Sequence, residues 1–229
     1  SLLAASKSAS TVNRYKSALK KIFREAIDAE ICTKSPKIKL NKPTRGRVRF
    51  YSKEEISEIK DWLMDRKPWI WIYCVISLNT GMRRGEITKI SEASITPCGK
   101  YIHLATTKNG DSRDIYMNEE AKVAVYELLK LNGNKFVHST FYRIWDGMRD
   151  DFLRRGIIKD QKDYQSFVFH VFRHTCATKL SSNIHVPIPA ISEVLGHSSI
   201  ATTMKYAHAK PDHVSDVMMS LGTYNNTKA

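Results

Sequence analysis

The sequence predicts a mainly α-helical chain with a small antiparallel β-sheet, and three observations carry that expectation. Apolar residues recur at helical spacing through most of the 229 residues, as in helices that bury one face. Two short strand-like runs, 101–106 and 113–117, flank Asn109-Gly110, a dipeptide that supplies the positive φ angles of a tight hairpin turn. Between Thr33 and Arg49 the apolar period stops, and prolines, a glycine and a run of basic residues replace it. That is the composition of a linker.

In chain order, residues 10–31 set Val12, Tyr15, Leu19, Ile22, Phe23 and Ala26 on one helical face. Lys16, Lys20, Lys21 and Arg24 crowd the other faces, with Lys7 and Arg14 nearby. That basic side reads as facing a polyanion; a solvated charged surface is the bland alternative. After the linker, Ser52 and Glu55 form the two ends of a capping box, with Ile56, Ile59 and Leu63 behind it. Trp69 to Leu78 is the longest apolar run and suits a buried helix, with Gly81 as its stop. Further helical patterns span 119–131, 139–155, 171–183, 187–195, 199–207 and 212–221, and no internal repeat is visible.

Composition narrows the function. Lys and Arg number 37 against 23 Asp and Glu, a net charge of +14, and residues 1–50 hold 13 of the basic and 3 of the acidic residues. Such a surplus suits nucleic acid, where neutralised phosphates release counterions. No apolar run approaches the roughly 20 residues of a membrane helix, and the first six residues lack a signal peptide's charged start. Cys32, Cys74, Cys98 and Cys176 show no paired spacing, so reduced thiols in a cytoplasmic setting are expected. His170 and His174 stand four apart, but the Glu of a zinc HExxH helix is missing. With no Gly-rich phosphate loop and no carboxylate cluster, neither cofactor nor metal is expected. Phosphate chemistry would then fall to cationic side chains.

Four segments supply them. Thr80-Gly81-Met82-Arg83-Arg84-Gly85-Glu86-Ile87 leads a glycine turn into a helix start, where backbone N–H groups and the Arg83 fork suit an anion. Lys108 sits at the tip of the expected hairpin, from which a side chain reaches a neighbouring site. His170 and Arg173, three apart, share a face if both are helical. Gly196 ends one helix, Ser198 or Ser199 caps the next, and His197 is exposed between them, nine residues before Tyr206. Singly, each has an ordinary reading: a surface arginine, a solubilising lysine, a satisfied histidine, a packing tyrosine.

Taken in order, TGxR, a hairpin Lys, HxxRH, LGH and a Tyr nine residues later resemble the catalytic signature of the tyrosine recombinases, the phage integrase family. The segment from Arg49 to Ile56 is similar to the opening of that family's catalytic domain. Ser10 to Leu19 is similar to the last helix region of its core-binding domain. The resemblance implies that Arg83 and Arg173 clamp the scissile phosphate, with His197 adding a hydrogen bond. It implies Lys108 as acid to the departing 5′ oxygen and His170 as the proton-transfer partner of the Tyr206 hydroxyl. Tyr206 would attack phosphorus and hold DNA as a 3′-phosphotyrosine, and Glu86 would support the site. Val171 stands where an acidic residue is frequent in the family.

The expected organisation is part of a helical core-binding domain at 1–33, a basic linker at 34–49, a catalytic domain at 50–210 and a C-terminal helix or tail at 211–229. On this reading the chain begins inside the core-binding domain. Arg14, Lys16, Lys20, Arg45, Arg47 and Arg49 are the expected DNA-backbone contacts. Expected partners are double-stranded DNA, further copies in a tetramer on DNA, and accessory DNA-bending proteins, with no membrane. Two other classes share parts of the residue set: a type IB topoisomerase-like enzyme and a catalytically idle DNA-binding module. The complete set argues against idleness. The apolar face of Val214, Val217, Met218 and Leu221 favours a recombinase, since it suits docking on a neighbouring protomer.

Overall fold

The computed structural model describes residues 9–42, 48–105, 112–131, 138–183 and 185–209, apart from the side chains of His138 and residues 207–209. The chain divides into two compact units, residues 1–47 and 48–229, so the boundary falls inside the basic stretch.

The first unit holds helix α1 (Ala9–Asp28). None of its residues is buried, and Tyr15, Leu19 and Ile22 of its apolar face stand in the open. Glu30 adopts a left-handed φ of 56° just past the helix end. The first part of the expected linker then lies along α1. The Asn13 side chain donates to Asn41 O at 2.8 Å and accepts from Asn41 N at 2.7 Å, and Lys16 Nζ donates to Lys39 O at 2.8 Å. The segment up to Lys42 is therefore hydrogen-bonded chain, an outcome that composition alone does not reveal.

The second unit begins with α2 (Lys53–Arg66). Both halves of its capping box form, Glu55 N to Ser52 Oγ at 3.2 Å and Ser52 N to Glu55 Oε2 at 2.8 Å. Pro68 opens α3 (Pro68–Thr80), where a missing N–H costs nothing. This helix packs on α2, on α5 (Glu119–Lys130) and on α8 (Val171–Ser181), which is why its apolar residues run all round. Between α3 and α5 lie the single turn α4 (Arg84–Ile87) and the hairpin β1 (Tyr101–Leu104) with β2 (Arg113–Tyr116). The strands are antiparallel, with Tyr101 opposite Tyr116 and Leu104 opposite Arg113. Ile102, Leu104 and Ile115 turn inward, as the period of two requires. The hairpin tip expected at Asn109-Gly110 lies outside the described residues.

Helix α6 (His138–Arg154) and α7 (Gln161–Ser166) lead to an aromatic core. Phe172 on α8 meets Tyr51, Trp145 and Phe169 with ring centroids 4.9, 6.3 and 5.8 Å apart. Beyond α8, α9 (Ile188–Leu195) and α10 (Ile200–Thr203) are followed by a 3-10 turn, Met204–Ala209. Here Ala177, Ile191, Leu195 and Tyr206 form a second, smaller core. The mainly α architecture with one small antiparallel sheet is the predicted one. Helix α4 starts where the glycine turn at Gly81 led the sequence to expect a helix start, whereas α7, at six residues, is too short to show a period. The helix expected over 199–207 instead tightens after Thr203, so Tyr206 sits on 3-10 geometry.

Candidate active site

The site is built on two glycine-ended helices. Gly81 closes α3 at φ 67° and Gly196 closes α9 at φ 60°, left-handed geometry that any side chain would strain. Space is closed as well. A Cβ on Gly81 would meet Leu195 Cδ2 at 2.7 Å, and one on Gly196 would fall within the Arg113 guanidinium. Next to the first turn, Thr80 Oγ1 donates to Ile76 O at 2.5 Å and accepts from Met82 N at 3.2 Å. These bonds fix the backbone that presents Arg83.

Arg83 is the N-terminal cap residue of α4. Its Nη1 pairs with Glu86 Oε1 at 2.8 Å while Glu86 Oε2 accepts the Arg83 backbone N–H at 2.8 Å. Glu86 thereby holds Arg83 in place. Arg83 Nη2 also reaches Gly196 O at 3.4 Å. Arg173, on the buried helix α8, is only 1% exposed. It donates from Nη1 to Gly81 O and from Nη2 to Leu195 O, both at 2.6 Å. One guanidinium thus ties the two turns together. Carbonyls satisfy its donors without cancelling its charge. Burial pulls its pKa down to about 10, and the neighbouring Arg83 adds to that pull, so it stays cationic at neutral pH.

His197 follows Gly196, and its Nδ1 lies 2.8 Å from Thr203 Oγ1, which anchors one ring nitrogen and frees the other. His170 precedes α8 as its cap residue with helical backbone angles, and its carbonyl accepts from His174 N at 3.2 Å, so it stands on the first turn with Arg173. Its ring packs edge-on against His174 at 4.7 Å. His170, His174 and His197 are each held down to about 4, by desolvation first and then by nearby cations, Arg173 and Lys205 among them. On His170, the exposed one of the three, solvent screens that push most. All three imidazoles are neutral at pH 7.

Tyr206 is 4% exposed. Its ring belongs to the small core with Ile191 and Leu195, and its hydroxyl lies 2.5 Å from His174 Nδ1. Burial raises its pKa, and Arg173 opposes the rise. The hydroxyl's hydrogen bond is therefore made with His174, where the resemblance pointed to His170.

Three site residues escaped the sequence reading. His174 closes the HxxRH segment and stands four residues from His170, and neither feature assigns it a role. Lys205, whose Nζ lies 5.6 Å from the Tyr206 ring centre, looked like any surface lysine. Arg113 begins β2 and pairs through Nη2 with Glu86 Oε2 at 3.0 Å, and its Nε and Nη1 are buried without a partner. Burial lowers its pKa; Glu86 opposes that and Arg83 reinforces it. Arg83, Arg113 and Arg173 thus share the single carboxylate of Glu86, which leaves two positive charges and two unpaired donors around one spot. Such a place is made for an anion. Among the described residues, no three His, Cys, Asp or Glu side chains are grouped to hold a metal ion, and no helix is long and apolar enough to cross a membrane.

The other expected residues fall elsewhere. Lys108, Arg45 and Arg47 lie outside the described residues. Arg14 and Lys20 are exposed on α1, and Lys16 is engaged with Lys39 O and Asn41 Oδ1. Arg49 is committed to the fold, paired with Glu55 at 2.7 Å and Asp163 at 2.8 Å and stacked on Tyr51 and Phe167 at 4.9 Å.

Comparison with known proteins shows the family and the fold. The model of the phage integrase family matches residues 49–213. The chain is 23% identical over 236 residues to the tyrosine recombinase XerD of Oceanobacillus iheyensis, covering 93% of this chain and 76% of that one. It is 24% identical over 184 residues to the shufflon-specific DNA recombinase of Escherichia coli, covering 78% of this chain and only 45% of the relative's length. Its fold is similar to that of the Tn1549 transposon integrase in complex with circular intermediate DNA. There the TM-score is 0.67 and the identity 22%, over 95% of this chain and 81% of the other.

Proposed function

This chain belongs to the phage integrase family, and from that premise we propose that it breaks and rejoins DNA strands at specific sites through a 3′-phosphotyrosine on Tyr206. The observation that carries the reading is the meeting of Arg83, Arg173 and His197 at the two glycine turns, with Tyr206 on the same small core. The charge excess there suits a scissile phosphate.

In this mechanism Arg83 and Arg173 engage the non-bridging oxygens, and His197 adds a donor from its free ring nitrogen. Positive charge aimed at the phosphoryl oxygens stabilises the transition state more than the ground state. Arg113 reinforces the site through Glu86. The arriving phosphate is an anion beside His170 and lifts its pKa back toward the neutral range, so that His170 can take the phenol proton. Tyr206 Oη then forms a bond to phosphorus while the bond to O5′ breaks, and Lys108 supplies the proton that O5′ requires. The phosphotyrosine conserves the ester's energy, so the 5′ hydroxyl of another strand reverses the step without ATP. The relatives' names speak of recombination, and the Tn1549 integrase is described with DNA. Double-stranded DNA is accordingly the proposed partner here, with further copies and DNA-bending proteins assembling on it.

The test is to incubate the protein with fragmented host and mobile-element DNA, recover covalently attached DNA and sequence it. Attachment at a few defined sites, with strands joined to new partners, is the expected result. Attachment scattered over all sequences, with strands resealed only to themselves, would replace recombination by topoisomerase-like relaxation.

A further inference from the structure

Helix α8 and its cap residue bring His170, Arg173 and His174 together, and the proposed mechanism uses only the first two. The third, His174, sits one turn beyond His170, half-buried behind it, with its Nδ1 2.5 Å from the Tyr206 hydroxyl. The two rings lie 5.8 Å apart at 44°, so their contact is through the polar edge and not by stacking. The small core around its ring is apolar, shared with Ala177, Ile191 and Leu195. Apolar contacts of that kind leave the C–O bond free to swing with small ring movements. A hydrogen bond of fixed direction does not.

We propose that His174 is a positioning residue that fixes the Tyr206 oxygen for attack, while proton removal belongs to His170. The proposal rests on the reading of Tyr206 as nucleophile. His174 suits this task better than that of a base. Its imidazole is held down to about 4 and the phenol is raised above its usual 10. A proton is thus disfavoured on His174. With Nδ1–H donating to Oη, the hydroxyl proton stays free to leave toward the exposed His170. The short 3-10 turn at Met204–Ala209 has too few internal hydrogen bonds to hold a tyrosine rigidly, and the contact to α8 supplies that rigidity from outside.

Asparagine and glutamine separate the roles, because an Asn amide reaches the place of Nδ1 whereas a Gln amide reaches the place of Nε2. Two readouts are compared across His174→Asn, His174→Gln and His174→Ala. One is single-turnover formation of the covalent adduct at saturating DNA. The other is the ζ-carbon resonance of Tyr206 in DNA-free protein carrying 13C-tyrosine, identified by its loss in Tyr206→Phe. The Asn variant should keep the resonance and cleave within about fivefold of wild type. Gln and Ala should move the resonance and slow cleavage by 10–100-fold, a loss of one hydrogen bond's order. An Asn variant no better than Gln, or an Ala variant as fast as wild type, would overturn the assignment. If Ala fails to fold, the Asn–Gln pair still decides. Wild-type protein that forms no adduct removes the nucleophile reading, while the resonance independently reports the pairing.

Discussion

Arg49 and Arg173 are both arginines withdrawn from solvent in the second unit, and their charges are met in opposite ways. Around Arg49 stand two carboxylates, Glu55 and Asp163, and two aromatic faces. Desolvation lowers its pKa, but hydrogen bonds and charge from those carboxylates outweigh it and the net shift is upward. Around Arg173 stand two neutral carbonyls and two further arginines, and the net shift is downward, to about 10. A charge cancelled by its neighbours belongs to the fold. A charge left in excess, at the cost of desolvation, is one the fold holds ready for a ligand.

That contrast is breakable. Arg173→Ala should lower single-turnover adduct formation by at least about a thousand-fold. It should also destabilise the protein by about 3 kcal/mol, since two buried carbonyls lose their donors. Undiminished cleavage in that variant would return Arg173 to the fold. Arg113→Ala should slow cleavage by about 10–100-fold with a smaller change in denaturation midpoint, because Glu86 keeps its pair with Arg83. Equal loss of stability and activity would make Arg113 merely structural. Arg49→Met should show the mirror image, costing about 2–3 kcal/mol in chemical denaturation by leaving two carboxylates unpaired. Adduct formation by the folded fraction should stay within a few-fold, and a thousand-fold loss would erase the distinction.

The smallest effect is in pH. Half-buried His174 and His197 titrate near 4 when folded and near 6.5 when unfolded. Between those values the unfolded chain binds more protons. Stability is therefore complete above pH 6.5 and declines as pH falls toward 4, by an amount that solvent screening of these half-exposed rings keeps small. A denaturation midpoint that stays level from pH 7 to pH 4 would show that these imidazoles are not shielded.

The sequence made the fold legible wherever one physical rule acted locally. Ser52 with Glu55, Gly81, Gly196 and the two strands around Asn109-Gly110 each announce a structure within a few residues, and among the described residues each appears where it was expected. Arg83, Glu86, Arg173, His197 and Tyr206 were found because their order resembles a family, and the structure adds how the turns hold them. Arg113 and His174 were not found. Arg113 matters through Glu86 and Gly196, 27 residues before it and 83 after it. His174 matters through Tyr206, 32 residues on. Such contacts form only when the chain folds back on itself, and no periodicity encodes them. Arg49 misled for the same reason: in a basic run it reads as a phosphate contact, and its partner Asp163 is 114 residues away.

The most direct measurement is the mass of the peptide that becomes joined to DNA. After incubation with a recombination site, nuclease trimming and trypsin cleavage after Lys205 and Lys228, peptide 206–228 should carry a nucleotide through its 3′ phosphate, and fragmentation should place it on Tyr206 and not on Tyr224. The same mass addition on any other peptide would contradict the account.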